Sequence, residues 1–371
     1  MSIRTVIMFL AVQVILVTGT VAAFAQLKIP FLKARPLYQT DTVTICIMGD
    51  MMMHSAQIEN ARHGNRYDFK PYFKALKDRI SNADIAIANM EFTLAGEPYS
   101  GYPTFSAPDC YAEYLAECGF DIFLAANNHI FDKGSEGAAR TIEKYRALGK
   151  SHGIRYCGLA MDENDRKQTY PLTLNVKGMS IDIVNFTYGT NLGTERHWPK
   201  VNYMNDRTRL KEALEDSQKA DFTLVLPHWG NEYKLTHSHN QKETAQWLIE
   251  NGADMIIGTH PHVVQDCETI EGVQVAYSLG NAVSNMSAPN TQIGLMATVR
   301  LIRKSNGDIN AMPIEFTWLW CSRPGGYCNS YSVIPVKEYL DRKAEWKDSR
   351  DYEKMAYTYE YVSKTTGIDT L

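Results

Sequence analysis

The sequence predicts an α/β (α+β) fold, with a mixed β-sheet or two packed sheets flanked by α-helices. Three observations lead to this prediction. A helix-then-strand unit recurs along the chain, polar clusters fall at the carboxyl ends of the strands, and paired hairpins lie near the end of the chain. In open α/β sheets, binding sites form at the carboxyl edge of the strands, so the polar clusters are the candidate site.

Composition is that of an ordinary globular protein with a sizeable core. The chain has 371 residues, of which 44% are hydrophobic and 22% charged, and its net charge is −4. No basic stripe is present, so nucleic acid is not expected as a partner. We expect one domain over residues 42–330, preceded by a leader at residues 26–41 and followed by a charged, helical tail at residues 331–371.

The amino terminus has the pattern of an export signal. Arg4 precedes an apolar run at residues 6–17 that only Gln13 interrupts, and residues 23–25 form a small-x-small cleavage site. This pattern predicts a secretory signal peptide over residues 1–25 that is removed after Ala25. An uncleaved anchor is the alternative, since the apolar stretch approaches membrane-spanning length. Either way the protein is expected to be exported: periplasmic, extracellular or anchored at the outer face.

The first half of the domain alternates strands with helices. Residues 43–48 and 83–91 are predicted strands, and between them residues 72–81 show helical spacing with Phe73, Leu76 and Ile80 on one face. A short helix at residues 110–118 ends at Gly119, and a third strand begins at residue 120. A helix at residues 135–148 is expected to stop at Gly149.

The second half adds hairpins to the same pattern. Residues 169–188 predict a hairpin that turns at Lys177-Gly178. Helices at residues 207–219 and 241–251 alternate with strands at residues 220–228 and 253–257. The remaining predicted strands cover residues 273–279, 294–302 and 309–318, with a turn at Asn306-Gly307 between the last two.

The strongest candidate site follows the strand at residues 253–257. There, His260 and His262 are separated only by Pro261, which stiffens the turn, so both imidazoles can point at one centre. Other strand ends supply further carboxylate, amide and imidazole groups. The candidate metal ligands are Asp50, His54, Glu91, Asn128, His228, His260 and His262.

This donor set predicts two metal ions. Carboxylate, amide oxygen and imidazole suit Mn²⁺, Fe²⁺ or Zn²⁺ better than Ca²⁺, and the candidates outnumber what one ion needs. Two ions bridged by a carboxylate, roughly 3.5–4 Å apart, can generate a hydroxide at neutral pH and hold a phosphoryl or acyl oxygen. His54 follows Asp50 at i+4, so it joins the set if the segment after Asp50 is helical. A second HxH, His237-Ser238-His239, is interpreted as a solvated loop, with an auxiliary metal site as the alternative.

Six motifs in order carry a family resemblance. They are GDxMxH at 49–54, ANMExxLAG at 88–96, LAANNHIFDKGxxG at 124–137, LPHWGNEY at 226–233, GADMIIGTHPHVVQ at 252–265 and YSLGN at 277–281. Together they resemble the CapA-type bacterial capsule-synthesis family of poly-γ-glutamate biosynthesis, a branch of the calcineurin-like metallophosphoesterases. The resemblance spans residues 43–285 and implies a sandwich of two mixed β-sheets flanked by α-helices.

The resemblance also implies roles for single residues. Asp50, Glu91, Asn128, His228, His260 and His262 would hold the metals, and His129 would protonate the leaving group or stabilise the transition state. Four further motif residues would contact the substrate: Asn127, Trp229, Glu232 and Asn281. The sequence departs from the classical phosphoesterase pattern at two points, since no histidine stands two residues after Asp50 and Glu91 replaces the usual bridging aspartate.

Three functions compete at this stage. The first is an exported, dimetal-dependent hydrolase or transferase acting on an anionic cell-envelope polymer such as poly-γ-glutamate. The second is a non-catalytic envelope protein that binds polymer or supports a membrane synthase complex. The third is a secreted phosphodiesterase of small substrates. Seven cysteines are an odd number, and Cys321 and Cys328, which bracket a Pro-Gly-Gly turn, could be bridged.

Overall fold

The computed structural model describes residues 41–192 and 197–368. The predicted signal peptide and the leader up to residue 40 lie outside these residues. The strands are, in chain order, β1 (Thr42–Met51), β2 (Arg62–His63), β3 (Arg66–Tyr67), β4 (Ile85–Met90), β5 (Ile122–Leu124), β6 (Arg155–Cys157), β7 (Leu159–Ala160), β8 (Leu172–Val176), β9 (Met179–Thr187), β10 (Lys200–Val201), β11 (Phe222–His228), β12 (Met255–Ile257), β13 (Cys267–Ile270), β14 (Val273–Ala276), β15 (Asn281–Val283), β16 (Ile293–Arg303), β17 (Ile309–Ala311), β18 (Glu315–Ser322) and β19 (Ser332–Pro335).

The helices lie between these strands and after the last one. They are α1 (Ser55–Ala61), α2 (Lys77–Ser81), α3 (Asp109–Glu117), α4 (Gly134–His152), α5 (Glu163–Thr169), α6 (Arg207–Ser217), α7 (His239–Glu250), α8 (Val336–Tyr339) and α9 (Ser349–Thr366), with a 3₁₀ turn at Lys343–Glu345. Among the described helices, none combines the length and the apolar character needed to cross a membrane.

Two large sheets carry the fold. Sheet 1 has nine strands in the order β19-β18-β16-β1-β4-β5-β6, with β15 beside β1 and β17 beside β16. Sheet 2 has six strands in the order β13-β14-β12-β11-β9-β8. In both sheets the strands near the site run parallel, whereas β16, β18 and β19 in sheet 1 and β8 and β13 in sheet 2 pair antiparallel. The prediction of two mixed sheets flanked by helices is confirmed.

The sheets pack face to face because successive side chains along a strand point to opposite faces of its sheet, and both faces are buried. Ile45 and Ile47 of β1 share one apolar cluster with Leu224 of β11. Cys46, one residue out of phase, points to the opposite side of sheet 1, where it joins a cluster that includes Leu115 of α3. Each such side chain, removed from water, stabilises the fold by roughly 1.5–3 kcal/mol.

Sheet 2 buries its outer face in the same way. Val225 lies between two residues that face sheet 1, and it packs instead with Leu214 of α6 and Leu248 of α7. The result is four layers, with helices, two sheets and helices stacked in turn. This arrangement fixes the strand ends of both sheets, and therefore the residues that follow them.

Several predicted elements differ in extent from the observed ones. Helix α4 runs through Gly149 and ends at Gly153, whose φ of 77° suits a left-handed helix end. Gly149 is required for another reason, because a Cβ there would lie 2.9 Å from the carbonyl oxygen of Ile154. The strand predicted at residues 309–318 is interrupted at Pro313, which cannot donate to a ladder, and gives β17 and β18.

Three further local predictions have clear outcomes. The hairpin at Lys177-Gly178 is confirmed, and both turn residues have positive φ, 49° and 79°, as a two-residue turn requires. Of the helix predicted at residues 72–81, only α2 is α-helical, and the residues before it form turns. All seven cysteines are free, so the bridge between Cys321 and Cys328 is not formed.

Candidate metal centre

Five acidic and imidazole side chains meet where parallel strands of the two sheets end. Asp50 stands near the end of β1, Glu91 follows β4, His228 ends β11, and His260 and His262 follow β12. None of the five is more than 3% exposed. The convergence follows from topology, because neighbouring parallel strands deliver their carboxyl ends to one edge.

These side chains form two overlapping groups. Among the described residues, the groups of three whose donor atoms lie within 4.8 Å of one another are Asp50–Glu91–His228 and Glu91–His260–His262. Glu91 belongs to both. Its Oε1 lies 3.7 Å from Nε2 of His228 and 3.6 Å from Nε2 of His262. These separations are too long for hydrogen bonds, yet they suit donors that share an ion, because each donor–metal bond is roughly 2.0–2.2 Å.

Unpartnered polar atoms support a cation at this place. In the described part of the chain, neither carboxylate oxygen of Glu91 has a hydrogen-bond partner, although the residue is fully buried, and Nδ1 of His260 also has none. Burial, and then the charge of Asp50, raise the pKa of Glu91 well above its usual range. An unpaired buried carboxylate is costly, and a divalent cation would offset that cost. The residues present therefore fit divalent transition-metal ions.

Two of the three histidines have pKa values that favour the neutral form needed for metal binding, and the third does not. Burial, together with the neighbouring imidazoles, lowers the pKa of His228 and of His260 well below the usual value, so both are neutral. For His262, burial opposes protonation, but its hydrogen bond to Asp50 and the charge of that carboxylate raise the pKa overall. A cation bound beside Asp50 would compete directly with that proton.

The turn after β12 directs its two imidazoles toward the centre through an unusual backbone conformation. His260 and His262 have φ of 100° and 59°, values that residues with a Cβ rarely adopt. Thr259 pairs with the end of β11, and the backbone N–H of His260 donates to Oδ2 of Asp50 at 3.3 Å. Such strain typically costs about 1–3 kcal/mol per residue and persists only where the surroundings enforce it.

Neutral polar side chains orient the ligands. Nδ2 of Asn89 donates to Oδ1 of Asp50 at 2.7 Å, and Oγ1 of Thr259 lies 3.0 Å from Nδ1 of His228. Oδ1 of Asn281 lies 3.0 Å from Nδ1 of His262. Partners of this kind fix the ring orientation of metal-ligating histidines. Asn281, which is predicted to contact substrate, is only 1% exposed and contacts His262, so its surroundings favour a positioning role.

Asn128 and His129 occupy different positions at the centre. Oδ1 of Asn128 lies 2.7 Å from Nε2 of His228, so the amide reaches the Asp50–Glu91–His228 group. The His129 ring has its Nδ1 2.7 Å from Oδ2 of Asp132 and its Nε2 4.0 Å from Oε1 of Glu91. His129 therefore lies beside the centre, with one ring nitrogen toward Glu91 and the other against the Asp132 carboxylate. Asp132 carries this role without any signal in the sequence beyond its place in the motif.

Two of the predicted site residues serve the scaffold. Asn127 is buried, and its amide bridges the carbonyl of Met90 and the N–H of His129, so it shapes the turn and does not face substrate. Trp229 is also fully buried and donates its indole N–H to the carbonyl of Tyr277 at 2.9 Å. The burial and hydrogen bonds of these two side chains favour a structural role over the predicted contact with substrate. Because His228 points into the centre, the next residue on the strand must point away.

His54 falls outside both groups. The prediction that it joins Asp50 required a helix beginning near Asp50, but α1 begins only at Ser55. Nδ1 of His54 lies 3.1 Å from Oε1 of Gln57 and 3.3 Å from the backbone N of Asn285. Burial lowers the pKa of His54 to about 4. The ring lines the cavity above the centre without entering it.

That cavity has a volume of about 600 Å³. Its lining includes His129, Asn128 and His262 from the centre, together with Glu232 and the exposed rings of Tyr102 and Tyr233. A further aromatic residue, Tyr188, packs against His260 in a tilted arrangement with ring centroids 4.4 Å apart, and no pattern in the sequence indicated this contact.

The second HxH is neither a solvated loop nor a metal group. His237 stacks on Tyr277 at 4.0 Å and has Nδ1 3.0 Å from Oδ2 of Asp266. Ser238 caps α7, and His239 is exposed beside Glu243. Both groups of three found among the described residues lie at the strand ends, so the auxiliary site is not among them.

Comparison with known proteins gives one family. Residues 44–286 match the family model described as bacterial capsule synthesis protein PGA_cap. The capsule biosynthesis protein CapA of Bacillus anthracis is 28% identical over 294 residues, covering 75% of this chain and 68% of that protein. The PGA biosynthesis protein CapA of Bacillus subtilis (strain 168) is 27% identical over 203 residues, covering 54% of this chain and about half, 52%, of that protein.

Two solved structures of low sequence identity are among those similar to this chain. The 5'-nucleotidase precursor from Thermus thermophilus has a TM-score of 0.44 at 12% identity, covering 87% of this chain and 59% of that one. The NAD nucleotidase (NadN) of Haemophilus influenzae has a TM-score of 0.47 at 12% identity, covering 88% of this chain and 68% of that one.

Proposed function

The chain belongs to the bacterial capsule synthesis protein family, and from that premise we propose that it is a metal-dependent hydrolase or transferase acting on an anionic cell-envelope polymer such as poly-γ-glutamate. The observation that supports the proposal most directly is the environment of Glu91. This residue is a fully buried carboxylate with two unpartnered oxygens, shared by two groups of metal-type donors.

Each residue of the centre has a task in this proposal. Asp50, Glu91, Asn128, His228, His260 and His262 hold two divalent ions, of the Mn²⁺, Fe²⁺ or Zn²⁺ type. Bound ions of this kind lower the pKa of a water molecule and stabilise negative charge on a substrate oxygen. Asn89, Thr259 and Asn281 keep the donors in place through the hydrogen bonds described above.

His129 is the proposed acid–base group. Its Nε2 faces the centre, 4.0 Å from Oε1 of Glu91, while Nδ1 is held at 2.7 Å by Asp132. The Asp132 carboxylate orients the ring. Nε2 is therefore the atom from which a proton would pass to the leaving group. A protein that only binds polymer has no need for this pair beside the cations.

The test is turnover by the metal-loaded protein. We expect hydrolysis of γ-linked glutamate oligomers, detected as shortened products by mass spectrometry, with an aryl phosphodiester as the comparison substrate. Chelation should abolish the activity, and restored Mn²⁺ or Zn²⁺ should return it. Metal-loaded protein that turns over neither substrate class contradicts the catalytic proposal and favours a binding or supporting role.

Export is a second part of the proposal and rests on residues 1–25. We expect the mature protein to begin at Gln26 and to lie outside the cytoplasm. Deletion of residues 1–25 should retain the protein in the cytoplasm, as cell fractionation would show. An intact Met1 on membrane-bound protein would favour the anchored form.

A further inference from the structure

Glu232 gives the cavity above the metal centre an acidic wall. It is the one Asp or Glu side chain on the described lining, and no Lys or Arg of the described residues lines it. A surface that binds a polyanion along its length is expected to be basic, since like charges facing each other are costly. Among the described residues, the nearest basic side chains stand behind the lining, where Lys133 donates to Thr104 and Arg323 to the carbonyl of Met286, so Glu232 is the charged side chain on the described lining itself.

The backbone around Glu232 is tied to the histidine turn. The N–H of Tyr233 donates to the carbonyl of Pro261 at 2.8 Å, and Tyr233 has a φ of 64°. Gly230, with a φ of 94°, packs so closely on Gln241 that a Cβ there would lie 2.5 Å from the side chain. These constraints hold Glu232 in a fixed relation to His262.

The other side of the loop is anchored as well. Nε2 of the buried Gln265 donates to the carbonyls of Lys234 and Thr236, at 2.9 and 3.2 Å. Gln265 lies three residues beyond His262, so the segment that carries two metal-type donors also positions the loop. The backbone that carries the exposed Glu232 is thus anchored on both sides.

Glu232 lines the same cavity as three residues of the centre, Asn128, His129 and His262. A group that reaches the centre through this cavity therefore passes the Glu232 carboxylate.

We propose that Glu232 selects substrates that carry an ammonium group beside the reacting linkage, so that the cavity takes the amino-terminal unit of a γ-glutamyl chain. The inference rests on the proposed function and narrows it from the polymer to one of its ends. In a γ-linked glutamate chain every unit has a free carboxylate, but only the first has a free ammonium. Glu232 attracts that ammonium and repels the carboxylates of interior units.

The test measures binding, so that it does not depend on turnover. The probes are a γ-linked tri-glutamate with a free amino end and its N-acetylated form, titrated calorimetrically into metal-loaded protein. For the wild type we expect about tenfold tighter binding of the free-amine probe, as a charge-assisted contact at a partly exposed site predicts. Glu232→Gln should abolish the preference, and Glu232→Lys should reverse it.

Controls separate selection from other roles of Glu232. Glu215→Gln removes an exposed carboxylate on α6, far along the chain from the cavity lining, and should leave the preference intact. Metal content of Glu232→Gln should equal that of the wild type, and a loss would show that Glu232 is a ligand and overturn the proposal.

Other outcomes are equally decisive. Equal affinity for the two probes, or no measurable binding of either at millimolar concentration, overturns the proposal. If Glu232 determines the preference but the protein shows no turnover, the proposal for Glu232 stands and the catalytic proposal is wrong. If the protein turns over the acetylated and the free-amine probe equally well, the catalytic proposal stands and the proposal for Glu232 is wrong.

Discussion

The two HxH sequences of this protein have opposite physical characters. His260 and His262 follow a buried parallel strand, have strained backbones and share a centre in which Glu91 and His260 leave buried polar atoms without partners. His237 has a carboxylate partner and an aromatic ring against its face, and His239 is exposed. The comparison shows that buried ligand atoms without hydrogen-bond partners among the described residues indicate a metal site better than the spacing of two histidines does.

The largest effect is expected at Glu91, which both groups share. Glu91→Gln should reduce bound metal to less than one ion per chain and abolish activity, because an amide is a weak ligand and cannot bridge two cations. Without metal the variant should be as stable as the wild type or more stable, since the amide replaces a buried carboxyl group that has no hydrogen-bond partner among the described residues. Elemental analysis and thermal unfolding with and without chelator would measure this.

Its matched control is Glu243→Gln beside the exposed His239, which should change neither metal content nor activity. If Glu91→Gln binds as much metal as the wild type, the shared group is not a metal site and the contrast between the two HxH regions fails.

His129 should affect turnover while leaving metal in place. His129→Gln is expected to keep both ions and the fold while the rate falls about 10²–10⁴-fold, the usual contribution of a positioned acid–base group. Asn128→Ala should instead lose metal and activity together. If His129→Gln loses metal as readily as His260→Ala, His129 is a ligand and its proposed role is wrong.

The sequence located the centre because its position follows from topology. Asp50, Glu91, His228, His260 and His262 stand at strand ends, and parallel strands bring their ends together whatever the loops do. Asp132 and Tyr188 were missed because their contacts depend on loop conformations that no periodicity encodes. The burial of Trp229 agrees with alternation from His228, which directs adjacent side chains to opposite sides.

His54 shows a second limit of sequence reasoning. Its i+4 spacing from Asp50 has meaning only within a helix, and the chain there is still a strand. The extents of α4 and of β17 and β18 likewise depended on close packing at Gly149 and on one proline. Local rules identified these elements but could not set their ends.

A smaller effect, on the pH dependence of folding stability, is expected at His54. Its pKa of about 4 in the folded protein lies below the ordinary value of 6.5, because burial disfavours the charged ring. As pH falls from 6.5 to about 4, the unfolded chain binds a proton that the folded protein does not, so stability decreases. In metal-free protein, His54→Gln should reduce this loss by about 1–2 kcal/mol, measured by urea unfolding at several pH values.

The same variant tests the placement of His54. Metal content of His54→Gln should equal that of the wild type, since the ring lies outside both groups. A clear loss of metal would show that the ring moves into the centre when ions bind.

The smallest effects are expected in the second HxH. His237→Ala should lower the free energy of unfolding by about 1–2 kcal/mol, because it removes a stacked ring and a hydrogen bond to Asp266. His239→Ala should be nearly neutral. Neither should change metal content, and chemical denaturation with elemental analysis would check both. Metal loss in either variant would contradict the contrast between the regions.

The most direct test of the dimetal centre is the number of metal ions per chain. Protein supplied with Mn²⁺ and Zn²⁺, then dialysed, should retain close to two ions by elemental mass spectrometry, and His260→Ala or His262→Ala should retain fewer. A stoichiometry near zero in the wild type, with the fold intact, would contradict the account.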